Sequence, residues 1–147
     1  MPTVTHPITA AGALVDALVS VSPARQRALA AAGRAIPGPV AVRALVDIGA
    51  SCTCIDPTIA ERLSLSPTGA SSMLTAATGT SGQPCNRYDI ALAVLMANQQ
   101  SHLLPTVISA IDAHLAPHGF QLLLGRDVLA FGTLFYDGKG RSFTLAF

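Results

Sequence analysis

Apolar residues along this chain come in short runs of four to eight, broken every few positions by Gly, Pro, Ser, Thr or Asp. Runs of that length bounded by turn residues read as strands. Leu14 to Val21, with Ala13 before it, is rich enough in Val and Leu for a strand, although Asp16 and the alanines leave a helix open. Val40 to Val46, interrupted only by Arg43, reads as a buried strand entered from the turn Pro37-Gly38-Pro39. Cys52 to Ile55 predicts a further short strand. Met73 to Met96 predicts a long hairpin whose tip is made of Gly, Ser and Thr. Leu103 to Ser109 predicts one more strand, placed at an edge by Pro105. Phe120 to Leu124, apolar but for Gln121, reads as a strand that stops at Gly125, and Thr133–Tyr136 and Ser142–Phe147 close the chain through Asp137-Gly138-Lys139-Gly140.

Helices are short and carry their own punctuation. Ser22-Pro23 and Asp56-Pro57 both place a capping side chain before a proline at the first helical position. The first helix should stop at Gly33 and the second near Leu63, and a third should run from Arg126 to Phe131. Residues 1–11 read as an extended arm, Ser64 to Ser72 as a loop, and Ala110 to Gly119 as a loop with one helical turn. The pattern predicts an all-β fold: a small, closed, barrel-like sheet with short helices. Its division is an N-terminal extension over 1–35 (arm, strand, short helix) packing on a core over 36–147.

Composition adds three constraints. A chain of 147 residues fits one domain with one core. Half the residues are hydrophobic and only 12% are charged, which points to apolar surface covered by a partner. The formal net charge of +1 leaves no electrostatic footprint for nucleic acid or an anionic membrane. No apolar run approaches the roughly 20 residues of a membrane span. The start of the chain lacks a basic stretch followed by an apolar core, so the expected location is cytoplasmic. Cys52, Cys54 and Cys85 match no common zinc spacing and read as small buried thiols, so no metal or other cofactor is expected. His114 and His118 are spaced for one helix face, but Pro117 and Gly119 favour solvated loop histidines.

The candidate chemistry lies at the end of the Val40–Val46 strand, where Asp47-Ile48-Gly49-Ala50-Ser51 delivers a carboxylate into a glycine turn. Asp is depleted in strands and is rarely buried without a partner. A turn-forming Asp bonded to its own backbone is the plain alternative. The stretch resembles the Asp-Thr/Ser-Gly-Ala/Ser-Thr/Ser signature of retroviral-type (retropepsin-like) aspartic proteases. Leu122-Leu123-Leu124-Gly125-Arg126-Asp127 resembles the apolar-apolar-Gly-Arg-Asp/Asn segment of the same family, and Tyr136-Asp137-Gly138 leading to Phe143–Phe147 is similar to the tail of bacterial members. The likeness spans Ile36 to Phe147, with one departure: Ile48 stands where the family has Thr or Ser.

The resemblance implies an aspartic endopeptidase with one Asp-x-Gly motif per chain. Of the eight acidic residues only Asp47 has that context, so half of a two-carboxyl centre comes from a second copy in a homodimer. The long apolar C-terminal strand favours the same assembly. The resemblance further implies Asp47 as the catalytic carboxyl and Ile48, Gly49, Ala50 and Ser51 as its loop. Leu123 and the flap residues Ala76, Ala77, Thr78 and Gly79 would contact a peptide or protein substrate, and Leu124, Gly125, Arg126 and Asp127 would support the loop. Two other readings stay open: a protease-like peptide-binding or assembly module with little turnover, and a precursor that processes itself.

Overall fold

The computed structural model describes residues 1–75 and 81–147. The chain builds one closed barrel and one small sheet. The barrel strands are β2 (Leu14–Val21), β3 (Val40–Val46), β9 (Leu122–Leu124), β4 (Cys54–Ile55), β8 (Ile108–Asp112) and β6 (Gln83–Leu95), in that order around the circle. β2 pairs with β6 through Ala17↔Val94 to Val21↔Ile90 and closes it. The alternation in β2 and β6 accounts for the core. Val15, Ala17, Val19 and Val21 face inward with Ile90, Leu92 and Val94, joined by Ala44, Leu122 and Leu124. Closure leaves these six strands no free edge among themselves, which is how a short β chain avoids exposing unpaired backbone.

The helices sit where their caps dictate. α1 (Pro23–Ala31) begins with Ser22 Oγ accepting from Arg25 N at 3.2 Å. It ends with Gly33 at φ +65°, while Arg34 N donates back to Leu29 O. α2 (Pro57–Arg62) is capped by Asp56, whose Oδ1 accepts from Thr58 N at 3.0 Å and Thr58 Oγ1 at 2.6 Å. α3 (Arg126–Leu129) starts directly after Gly125 and is shorter than the Arg126–Phe131 helix expected from the sequence.

Several expectations need correcting. Residues 69–73 are not loop: β5 (Gly69–Met73) pairs antiparallel with the first half of β6, from Gly69↔Arg87 to Met73↔Gln83. Small and hydroxylated side chains hid this strand, because its partners and not its composition hold it. The single strand expected over Leu103–Ser109 is two, β7 (Ser101–Leu103) and β8, separated at Pro105, which has no N–H for a ladder. The arm over residues 1–11 contains β1 (Thr3–Pro7), paired with β11 (Ser142–Ala146). On its other side β11 pairs with β10 (Thr133–Asp137), so the C-terminal strand is the middle of a three-stranded sheet. Both of its edges are taken within the chain, and Phe143 and Leu145 are fully buried. That strand is therefore no free apolar edge, and the dimer argument drawn from it falls. The edges that remain are β1 and β10, and β10 exposes Phe135 and Tyr136. No helix of the described residues is long and apolar enough to cross a membrane.

Candidate active site

β3 and β9 run parallel, with Val46 opposite Leu124. The ladder extends one step past β3, where Asp47 N donates to Leu124 O at 3.0 Å. That bond fixes the backbone of Asp47 at the mouth of the barrel. The next residues turn tightly: Ala50 N donates to Asp47 O at 3.3 Å, and Gly49 N donates to Asp47 Oδ1 at 2.8 Å. The carboxylate is thus aimed by its own loop, as an Asx turn aims it. Glycine suits position 49 because a Cβ there would stand 3.1 Å from Asp47 Oδ1, inside ordinary contact.

α3 braces this loop from behind. Arg126 N donates to Ala50 O at 3.0 Å, and Arg126 Nη1 donates to Ile48 O at 3.0 Å and to Gly49 O at 3.3 Å. The close approach depends on Gly125: a Cβ at that position would lie 2.5 Å from the backbone C and O of Cys52. Asp127 ties the far side of the loop. Its Oδ2 accepts from Thr53 N at 3.0 Å and its Oδ1 accepts from Thr53 Oγ1 at 2.9 Å, while Thr53 Oγ1 accepts from Gly125 N at 3.3 Å. Thr53 has no exposed surface. The sequence reading passed it over, although a hydroxyl within a buried strand must find partners, and that was the available signal.

A cavity of about 660 Å³ opens at Asp47. Gly49, Ala50, Ser51 and Leu123 line it, and so do Cys52, Cys54, Ile111, Met73, Arg87 and Arg126. Among its described lining residues Asp47 is the single acid. Leu123 faces this cleft, whereas its neighbour Leu124 faces the barrel core. Ile48 is not among the residues lining the cavity and is 68% exposed. Ala76, Ala77, Thr78 and Gly79 lie outside the described residues. A second cavity of about 350 Å³ shares Met73 with the first and reaches Cys85, Asp112 and His114.

Two thiols near the cleft, Cys54 and Cys85, are held in their protonated form. Burial pushes Cys54 up to about 12, reinforced by the titratable groups around it, among them the carboxylates of Asp127 and Asp47. Burial and the Asp112 carboxylate also push Cys85 up. A buried, protonated thiol of this kind is a poor nucleophile. Asp56 is the opposite case. Burial favours its neutral form, but hydrogen bonds from the Thr58 hydroxyl and from the N–H groups of Ala116, Thr58 and Leu115 outweigh it and hold the carboxyl at about 2.

Comparison with known proteins follows the same lines. A crystal structure of a retropepsin-like aspartic protease from Rickettsia conorii superposes with a TM-score of 0.57 at 18% identity, covering 99% of this chain and 90% of that one. The two share the retropepsin-like fold. No curated protein matches the sequence. The aspartyl protease family matches residues 33–128, a stretch that holds both the Asp47 loop and the α3 brace. By that match, on this barrel, the chain belongs to the aspartyl protease family.

Proposed function

We propose that the protein is an endopeptidase in which two copies each supply one Asp47 to a shared centre. The observation that carries this reading is that Asp47 is oriented by Gly49 N–H at the mouth of a large cleft in which it is the single acid among the described residues. Two carboxyls facing each other across a two-fold axis hold one proton between them, because like charges a few ångströms apart do not both ionise. The ionised carboxyl takes a proton from a water held between the pair, and the water oxygen attacks the scissile carbonyl carbon. The protonated carboxyl gives its proton to the carbonyl oxygen. The carboxyl that took the water's proton then passes it to the departing amide nitrogen, the other carboxylate takes back a hydroxyl proton from the tetrahedral intermediate, the carbonyl re-forms and the C–N bond breaks, which leaves the pair again with one proton. Family membership and the exposed Ile48 beside Asp47 support an interface at this loop. Substrate lies extended along the cleft, in contact with Leu123. Three free cysteines support a reducing, cytoplasmic setting.

Ile48 favours a second reading, a peptide-binding or assembly module with little turnover. A side chain without a hydrogen-bond donor beside the catalytic carboxyl packs without fixing the direction of the dyad. One experiment separates the two: incubation with a mixed peptide library at acidic and neutral pH, read by mass spectrometry, beside Asp47→Asn. Cleavage that disappears in Asp47→Asn is the expected result. An intact library, or cleavage that persists in the variant, overturns the endopeptidase.

A further inference from the structure

We propose that Arg87 makes the cleft select peptides that carry a carboxylate several residues from the scissile bond. The inference rests on the reading of Asp47 as the centre of a peptide-binding cleft. The cavity at Asp47 is walled mainly by small and apolar side chains, and two guanidinium groups enter it, Arg126 and Arg87. They are not equivalent. Arg126 is committed to the carbonyls of Ile48 and Gly49. Arg87 is exposed on β6, and its Nη2 donates to the neutral hydroxyl of Ser71 at 3.3 Å. Among the described residues no carboxylate lies within 4.0 Å of it. Two acids are close by in register: Asp89, two residues along β6, which accepts from Thr68 Oγ1 at 3.4 Å, and Asp112 on β8, whose two oxygens accept from Asn86, one from N and one from Nδ2.

The backbone keeps the approach to Arg87 clear. Its partner on β5 is Gly69, which has no side chain, and a Cβ at Gly69 would meet nothing within 4 Å. A guanidinium has five N–H donors in a planar fork that matches a carboxylate, so a single bond to Ser71 leaves most of its donors unspent. With a formal net charge of +1, the chain has no overall field that would draw acidic ligands, and selection falls to this one group. From β3 to β6 the barrel passes β9, β4 and β8. Four strand spacings of about 4.8 Å make about 19 Å along the barrel wall, and an extended peptide rises about 3.3 Å per residue, which places the selected carboxylate within about six residues of the bond cut.

The test uses amidated dodecapeptides with a central Leu-Phe pair, Glu or Gln being scanned through the other positions, and one series with a free C-terminus. Cleavage is measured with the wild type, and binding is measured by fluorescence polarisation with Asp47→Asn. At one scanned position Glu should be preferred over Gln by roughly fivefold in both readouts, the size of one partly solvated ion pair. Arg87→Gln should bring that ratio close to one, Arg87→Lys should keep part of it, and Arg87→Glu should turn it toward Lys, each with an unchanged thermal melt. Preference confined to the free C-terminus would assign the carboxylate to the chain end and not to a side chain, which overturns the side-chain form of the proposal. Cleavage without any Glu preference overturns the role of Arg87 and leaves the endopeptidase standing. Binding with the preference but without cleavage keeps Arg87 and overturns the endopeptidase. Neither binding nor cleavage of any peptide overturns both.

Discussion

Thr53 and Asp127 are 74 residues apart in sequence and are joined twice, once through the Thr53 N–H and once through its hydroxyl. The same hydroxyl oxygen accepts from Gly125 N, so one buried side chain connects the strand after the Asp47 loop to the start of α3. Thr53→Val keeps the shape and removes the hydroxyl. It should cost about 1–3 kcal/mol, the desolvation penalty of a carboxylate oxygen and an N–H left short of partners. For a chain of this size that is a fall of several degrees in thermal midpoint. Thr53→Ser should recover most of it. A melt for Thr53→Val equal to wild type would show that the pair does not brace the loop.

Gly125 and Cys52 make the second test of that brace. Gly125→Ala puts a methyl 2.5 Å from the Cys52 backbone, where no side chain can rotate away. The loop or α3 must shift, and a displacement of about 1 Å at a catalytic group can lower a rate by roughly a hundredfold. The variant should lose peptidase activity by that order and lose stability as well. Gly38→Ala, with nothing within 4 Å of the new methyl, is the matching control and should leave both unchanged. Full activity in Gly125→Ala would show that the close approach is not required.

Acid should act on the fold through Asp56. Its folded value of about 2 lies below the ordinary 3.8, so the ionised carboxylate contributes stability that is fully present above pH 3.8. That contribution is lost as the pH falls from 3.8 toward 2, because the protonated cap no longer accepts all its donors. The Asp56 contribution should therefore be retained in the mildly acidic range where a dyad sharing one proton is active. Denaturant unfolding followed from pH 6 to pH 2 should show the loss, and Asp56→Asn, lower in stability above pH 3.8, should lack that segment of the pH dependence and approach wild type toward pH 2. An identical pH profile for the variant would remove Asp56 as the cause.

Ile48 tests assembly and precision together. At 68% exposure it has an apolar surface to bury, and burying an isoleucine contributes about 1.5–3 kcal/mol. A single hydrogen bond contributes about 1 kcal/mol net, so an Ile pair can replace the Thr or Ser pair of the family without weakening the dimer. Ile48→Glu should shift sedimentation from dimer to monomer at micromolar concentration and abolish cleavage. Ile48→Thr should keep the dimer and raise turnover. A monomeric wild type that cleaves peptide would end the dimer argument, and an unchanged rate in Ile48→Thr would end the argument about precision.

Much of the site could be read along the chain because its signals are local. Val40–Val46 is apolar enough to be a strand wherever it lies, and an Asp followed two residues later by Gly makes the same turn in any barrel. Ser22-Pro23 and Asp56-Pro57 cap helices through bonds that span three residues or fewer. The residues that were passed over, Thr53 and Arg87, carry no such signal. Thr53 looks like one more small residue among cysteines, and Arg87 like one more charge on a long strand.

The sequence by itself determined the β-rich class, the short capped helices and the one Asp-x-Gly turn, because propensity, capping and turn geometry act over a few residues. Only the tertiary structure decided that β1 pairs with β11 and leaves the C-terminal strand without a free edge. Likewise it decided that Thr53 meets Asp127, that Gly125 lies against Cys52, and that Arg87 enters the cleft opposite a glycine. Each of these depends on the register between segments distant in sequence. Register is set by which apolar faces bury together when the barrel closes, a property of the whole chain that no single stretch encodes.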